Sequence, residues 1–351
     1  MKLNPHFQSI ENLSSSYFSL VMATGIVSIA AQLFNYTFVS IPLFYISIVS
    51  FVILVILFVT RLLFYPKNFI SDFVHPSKNP GFLTFVAASS MLGIQFIDIV
   101  HNYQIAYYFL ITGIISWVFL IYAFFTLITI KRNKPTLAEA ISGTWLLVIV
   151  STQSIAILAV RLLYHVPLFI TSLLFFSLVM FMLGCVFYFI IITLIVYRLS
   201  FFELTTDGFA PPYWINMGAA AISALAGSTL ILSIEKAHIF LPLISFIKGF
   251  TVMFWSFATW WIPLMIILGI WRHLIKHLPF KYLPQYWGMI FPLGIYTVCT
   301  AKLAQAIELP FLTGISSVFV FFAIGAWAIV FIGLVYAIIF NNIIKKSLKN
   351  R

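Results

Sequence analysis

Ten stretches of this sequence are each apolar over about 20 residues, the length a helix needs to cross a hydrocarbon core of roughly 30 Å. They cover residues 17–35, 41–64, 82–100, 104–130, 144–164, 167–197, 214–234, 241–271, 286–307 and 311–343. Inside lipid every backbone N–H and C=O must be satisfied within the segment, which leaves the helix as the structure for such runs. With 63% hydrophobic and 8% charged residues, a chain of 351 residues cannot cover its apolar surface in water. The expectation is an all-α integral membrane protein of ten transmembrane helices. Residues 1–16 are polar without a signal-peptide cleavage pattern, so the span that starts near Tyr17 is expected to be retained.

The formal charge of +11 would suit nucleic acid as a partner, but the basic residues sit in short loops between apolar runs. That distribution points to a lipid bilayer and its cytoplasmic leaflet, with no nucleic acid. Fifteen of the 19 Lys and Arg, among them Lys2, Arg61, Lys78, Arg272, Lys281 and Arg351, fall on the side of the N terminus. Only Arg161, Lys236, Lys248 and Lys302 fall opposite. Both termini are therefore expected in the cytoplasm of a bacterial-type inner membrane, which requires an even helix count. Cys185 and Cys299 lie inside apolar runs, so neither a disulfide framework nor a zinc site is expected.

The runs alternate in character. Odd-numbered ones carry small and hydroxylated residues, as in ATGIVSIAA, VAASSMLG and MGAAAISALAGST, whereas even-numbered ones are rich in Phe, Ile and Leu. Three odd runs open on an aromatic after a turn, at GTW (143–145), PPYW (211–214) and PQYW (284–287). This reads as five diverged helical hairpins, about 17–64, 82–130, 144–197, 213–272 and 286–343, followed by a basic tail at 344–351. Small residues let helix backbones approach closely. Five inner helices ringed by five outer ones would enclose a central pore with pseudo-five-fold symmetry, lined by Gly, Ala, Ser and Thr. The alternative is that the small residues serve helix packing alone.

The ninth run, YWGMIFPLGIYTVCTAKLAQ, is the most distinctive. Pro292 cannot donate to the carbonyl of Gly288, so a kink is expected just before it, with Phe291 at the break. Lys302 lies eleven residues on, about 16 Å along the axis and near the same face. Arg161 stands likewise at the far end of the fifth run, seven residues from Ser154. These two cations form an electropositive outer vestibule or snorkel to headgroups. Gly25, Ser90, Ser154, Gly218 and Gly294 are the candidate pore-lining residues. Ser89, Ser151 and Thr152 are further hydroxyls, and all of these hydroxyls either meet an anion or bond back to their own helix.

Five pieces carry a resemblance: YFSLVMATGIVSIA (17–30), GTWLLVIVSTQSIAILA (143–159), PPYWINMGAAAI (211–222), FWSFATWWIPLMIILGIWRH (254–273) and YWGMIFPLGIYT (286–297). In this order they resemble the tellurite-resistance/dicarboxylate transporter family, which includes the plant slow anion channels. The resemblance implies five hairpins around a pore, a homotrimer with one pore per subunit, and a phenylalanine on the ninth helix that occludes the pore, here Phe291. Two departures stand out: the other odd helices lack a mid-run proline, and the long tails of the plant channels are absent.

What the resemblance implies is transport of a small inorganic or dicarboxylate anion, such as malate, tellurite, sulfite or a halide, without a cofactor. The eight acids, Glu11, Asp72, Asp98, Glu139, Glu203, Asp207, Glu235 and Glu308, avoid helix centres. That favours passive movement over a proton-coupled dicarboxylate symporter or a sulfite exporter, which share the fold. Asp98 with His101 and Glu235 with His238 resemble proton-handling pairs but stand at span ends. His273 and His277 are one turn apart beside Arg272 and Lys276, a basic cluster with no third metal ligand. A membrane-embedded enzyme would need convergent nucleophile, base or metal ligands, and no span carries them.

Overall fold

The computed structural model describes residues 10–165, 169–203, 211–278 and 282–349, with side chains through residue 339. Lys2, Asp207, Lys281 and Arg351 lie outside the described residues. Among the described residues the regular structure is helical throughout.

Five hairpins follow one another, each a buried helix and a partly exposed partner. They are α1 (Ser19–Leu33) with α2 (Thr37–Phe64), α4 (Thr84–Gln95) with α5 (Tyr103–Ile130), and α7 (Leu147–Leu162) with α8 (Ile170–Phe201). The last two are α9 (Ile215–Ala237) with α10 (Ile244–Ile270), and α11 (Trp287–Ala306) with α12 (Phe311–Lys349). Two short helices, α3 (Pro66–Phe73) and α6 (Leu137–Ala140), lie in connections. Among the described residues nine helical segments are long and apolar enough to span a membrane. The tenth, α1, has 15 residues and stands in the same ring.

The ring closes on itself. α1 packs on α4, α4 on α7, α7 on α9, α9 on α11, and α11 back on α1. Each outer helix packs on its own inner partner and also on the next inner helix, with α12 reaching round to α1. The five inner helices therefore run parallel, since each is joined to the next through one antiparallel outer helix. Burial follows the layers: the most apolar window of the α7 span is 94% buried and that of α12 is 17% buried. The Phe- and Ile-rich faces of the outer helices are left for lipid, as the alternation in sequence implied.

Lead-in turns precede four of the inner helices, at Asn79–Leu83, Gly143–Leu146, Pro211–Trp214 and Pro284–Tyr286. The last three are the GTW, PPYW and PQYW motifs. Neighbouring lead-ins touch, and a Cβ on Gly143 would collide with the backbone carbonyl of Pro212. Outer-to-inner seams are pinned by indole donors reaching threonine hydroxyls: Trp117 to Thr152 (2.9 Å), Trp255 to Thr300 (2.9 Å) and Trp327 to Thr24 (3.0 Å). Each bond joins an outer helix to an inner one, satisfying a polar pair where water is absent.

The break expected at Pro292 is not an interruption: α11 continues through it. Proline removes only the bond to the carbonyl of Gly288, a residue that borders a cavity. The ring of Pro292 fills the space beside Gly218 of α9, where a Cβ would stand 2.8 Å from its Cγ.

Candidate functional site

Two cavities lie at opposite ends of the inner ring. The one at the helix N-termini, about 250 Å³, is lined by Ser19, Thr84, Leu147, Ile215 and Gly288, one residue from each inner helix. Asn12, Ser14, Ser15, Ser16, Ser77, Thr144 and Gln285 join them, with the charged pair Asp72 and Lys78, making this mouth rich in hydroxyls and amides beside one ion pair. The cavity at the C-termini, about 440 Å³, takes Ile29, Ile94, Ile157, Leu225 and Val298, and beyond them Leu33, Asp98, Arg161, Thr229 and Lys302.

These residues follow one rule on all five helices. Counted from the first member, the lining positions fall at steps of 10 and 14, which an α-helix brings back to one face. The same face passes through steps of 3 and 7. Step 3 gives a ring of Met22, Ala87, Val150, Gly218 and Phe291, and step 7 a ring of Ile26, Met91, Ser154, Ile222 and Ile295. All ten are buried. Met22 reaches the N-terminal cavity, and Ile26 and Met91 the C-terminal one, and the rest line neither. Phe291 is fully buried and is the one aromatic in its ring.

The expected lumen of Gly, Ala, Ser and Thr is corrected: the axial rows are mainly aliphatic, and small residues stand at seams between helices. A Cβ on Gly25 would meet Met91 and Gln95 of α4, and one on Gly294 would meet Ile26 of α1 at 2.8 Å. Gly218 is in the row, yet its Cβ direction is taken by Pro292. Ser90 is turned toward Gly113 of α5, its hydroxyl buried without a partner among the described residues. Ser154 lies in the axial row and donates to the carbonyl of Val150 (2.6 Å). Ser89, Ser151 and Thr152 likewise bond back to their own helices. Hydroxyls that satisfy themselves this way let polar residues sit in a dry interior.

Arg161 and Lys302 do come together, at the C-terminal mouth. Arg161 forms an ion pair with Asp98, which sits in a π-turn over Phe96–Val100 at the end of α4. Asp98 therefore answers an arginine on α7 rather than His101, which lines the same cavity along with His165. Lys302 donates to Gln305 (3.1 Å). Glu235 pairs with Lys248 (2.9 Å) and not with His238. His273 shares a hydrogen bond with the carbonyl of Leu278 (3.0 Å). Among the described residues no three His, Cys, Asp or Glu side chains converge as a metal would need.

At the opposite mouth a buried arginine organises the border. Arg61 donates to Asp72 (2.6 Å) and to the carbonyl of Glu11 (3.0 Å), while Lys78 reaches the other oxygen of Asp72 (2.7 Å). Burial works against the charged form of Asp72, but the hydrogen bonds and charges of Lys78 and Arg61 outweigh it and hold the carboxyl below its usual range. The serines at 14–16 were not singled out from sequence. The signal available was three consecutive hydroxyls immediately before the first inner helix.

A closed ring of five parallel helices, with polar mouths joined by an apolar axis, defines a membrane transport protein. The profile of the voltage-dependent anion channel family (SLAC1) matches residues 12–335, and the chain belongs to that family. Among curated relatives, the uncharacterized transporter MJ0762 of Methanocaldococcus jannaschii is 25% identical over 302 residues, 83% of this chain and 84% of that protein. The uncharacterized transporter MJ0576 of the same organism is 26% identical over 296 residues, covering 82% of each. The uncharacterized membrane protein Rv1735c of Mycobacterium tuberculosis is 33% identical over 144 residues, 41% of this chain and 73% of that protein.

Proposed function

We propose that this protein is a passive pore for small anions, closed along its axis by Phe291. The observation that carries this reading is the ring at step 3. Its other members are Met22, Ala87, Val150 and Gly218, so the phenyl ring is the largest side chain in it. Removing that ring would leave a gap bordered by those four residues. The passive character rests on charge: the acids among the described residues stand at helix ends or in connections, and the rows between the mouths hold no ionisable side chain. A proton-coupled carrier places such a group near the midplane.

Passage beyond Phe291 crosses the aliphatic ring of Ile29, Ile94, Ile157, Leu225 and Val298. Apolar constrictions penalise an ion by the water it must shed. That cost rises steeply with charge, so monovalent anions are favoured over a dianion such as malate. The seat of Arg61, Lys78, Arg198 and Arg272 at the N-terminal side of the ring favours that mouth facing the cytoplasm. A homotrimer in an inner membrane is the assembly the family resemblance suggests, and a mass measurement on the detergent-extracted protein tests it.

The test of the pore is reconstitution into liposomes with anion-replacement currents. Phe291→Ala is expected to raise nitrate and chloride flux well above wild type, with malate lagging. A well-folded Phe291→Ala protein with unchanged conductance would sink the reading.

A further inference from the structure

The C-terminal mouth holds a charged arrangement that passive passage does not require. Arg161 is partly exposed to the cavity, and its guanidinium is taken by the carboxylate of Asp98 from the neighbouring helix. The Nε of the same arginine is buried without a hydrogen-bond partner among the described residues, as is the Oε1 of Gln32, which lines the same space. An arginine fork is built to take an oxyanion through two parallel bonds. Here the oxyanion is one the protein supplies itself.

We propose that Arg161 is an anion-binding site for a carboxylate-like or nitrate-like monovalent oxyanion, and that Asp98 is a tethered competitor that occupies it. The inference rests on the reading of the chain as an anion pore. A free anion arriving at this mouth must displace Asp98 or share the guanidinium with it at a cost in repulsion. Asp98 thus sets how much anion the mouth collects, and its protonation hands Arg161 to the permeant ion.

The other groups facing Asp98 are known from the cavity. Arg161 comes from α7 and His165 from the turn that follows it, Lys302 from α11, and His101 and Tyr103 from the connection to α5 and its first residue; α1 and α9 contribute Gln32 and Thr229, which do not titrate. Imidazoles ordinarily titrate above carboxylates, so the two kinds of response are separable by pH.

Asp98→Asn keeps the shape and removes the charge. In liposomes carrying Phe291→Ala, adding Asp98→Asn is expected to lower the nitrate concentration for half-maximal flux up to about fivefold, the range of an exposed ion pair. Purified Asp98→Asn protein, titrated with nitrate at constant ionic strength, should show the same shift in its denaturation midpoint. Adding Arg161→Gln should abolish both effects. Should Asp98→Asn fail to insert, Asp98→Ala in the same Phe291→Ala background removes the charge and reads the same event.

An unchanged or raised half-saturation in well-folded Asp98→Asn overturns the assignment. So does a pH response confined to the histidine range and retained in that variant. If Phe291→Ala carries no anion at all, the parent reading fails; if it conducts but ignores position 98, only this inference does.

Discussion

Gly218→Ala probes the apolar stretch between the two mouths without touching the phenyl ring that we propose as its plug. The added methyl would stand 2.8 Å from Cγ of Pro292, 3.3 Å from its Cβ and 3.4 Å from its Cα. Carbon atoms in good contact lie about 3.5–4.0 Å apart, so the nearest pair is short by roughly 0.7 Å or more. A proline ring is fixed to its backbone and cannot rotate away, so relief requires α9 and α11 to separate. Overpacking of this kind costs about 1–3 kcal/mol. Alanine in place of a helical glycine returns about 0.5–1 kcal/mol, which leaves a net loss of roughly 1 kcal/mol, up to about 2.

Phe291 precedes Pro292, so the movement that relieves the clash also shifts the ring. The expected result is a lower denaturation midpoint in detergent together with measurable anion leak in liposomes. Gly314→Ala is the matched control, because a Cβ there meets nothing within 4 Å. If Gly218→Ala is as stable as Gly314→Ala and stays closed, the account of that stretch is wrong.

Two further outcomes test the border of the N-terminal mouth. Asp72→Ala strands Arg61, which is 1% exposed, and should cost about 3–5 kcal/mol, the loss expected when one partner of a buried pair is removed. Because the folded-state pKa of Asp72 is lowered, its contribution is present at neutral pH and is lost as pH falls below the ordinary carboxylate range, which an acid titration of stability would follow in wild type but not in Asp72→Asn. Gly143→Ala drives a methyl into the backbone of Pro212; it should destabilise more than Gly218→Ala, and equal midpoints for the two would contradict that ranking.

Helix number and hairpin pairing were legible because each depends on hydropathy over tens of residues. The axial rows were not. Ile29, Ile94, Ile157, Leu225 and Val298 face the axis, yet in sequence they are indistinguishable from aliphatic residues that face lipid. The small residues that drew attention mark the seams instead, since backbone approach between inner helices is what demands them at Gly25, Gly218 and Gly294. The pairing of Asp98 with Arg161 joins two hairpins, and no local pattern carries that information. The serines at 14–16 border a mouth only because the chain before α1 folds back over it.

The parallel running of the five inner helices has an electrical consequence. Each carries a dipole equivalent to about half a positive charge at its N-terminus and half a negative charge at its C-terminus. Around the axis the five inner dipoles point the same way, opposed only from the outer layer by the five antiparallel helices. The hydroxyl-rich mouth is thereby biased positive. The opposite mouth is negative, and Arg161 and Lys302 stand where that field would otherwise turn anions away. The two ends thus meet an anion by different means: at one the helix N-termini and Lys78 both favour it, at the other Arg161 and Lys302 work against the field of the backbone.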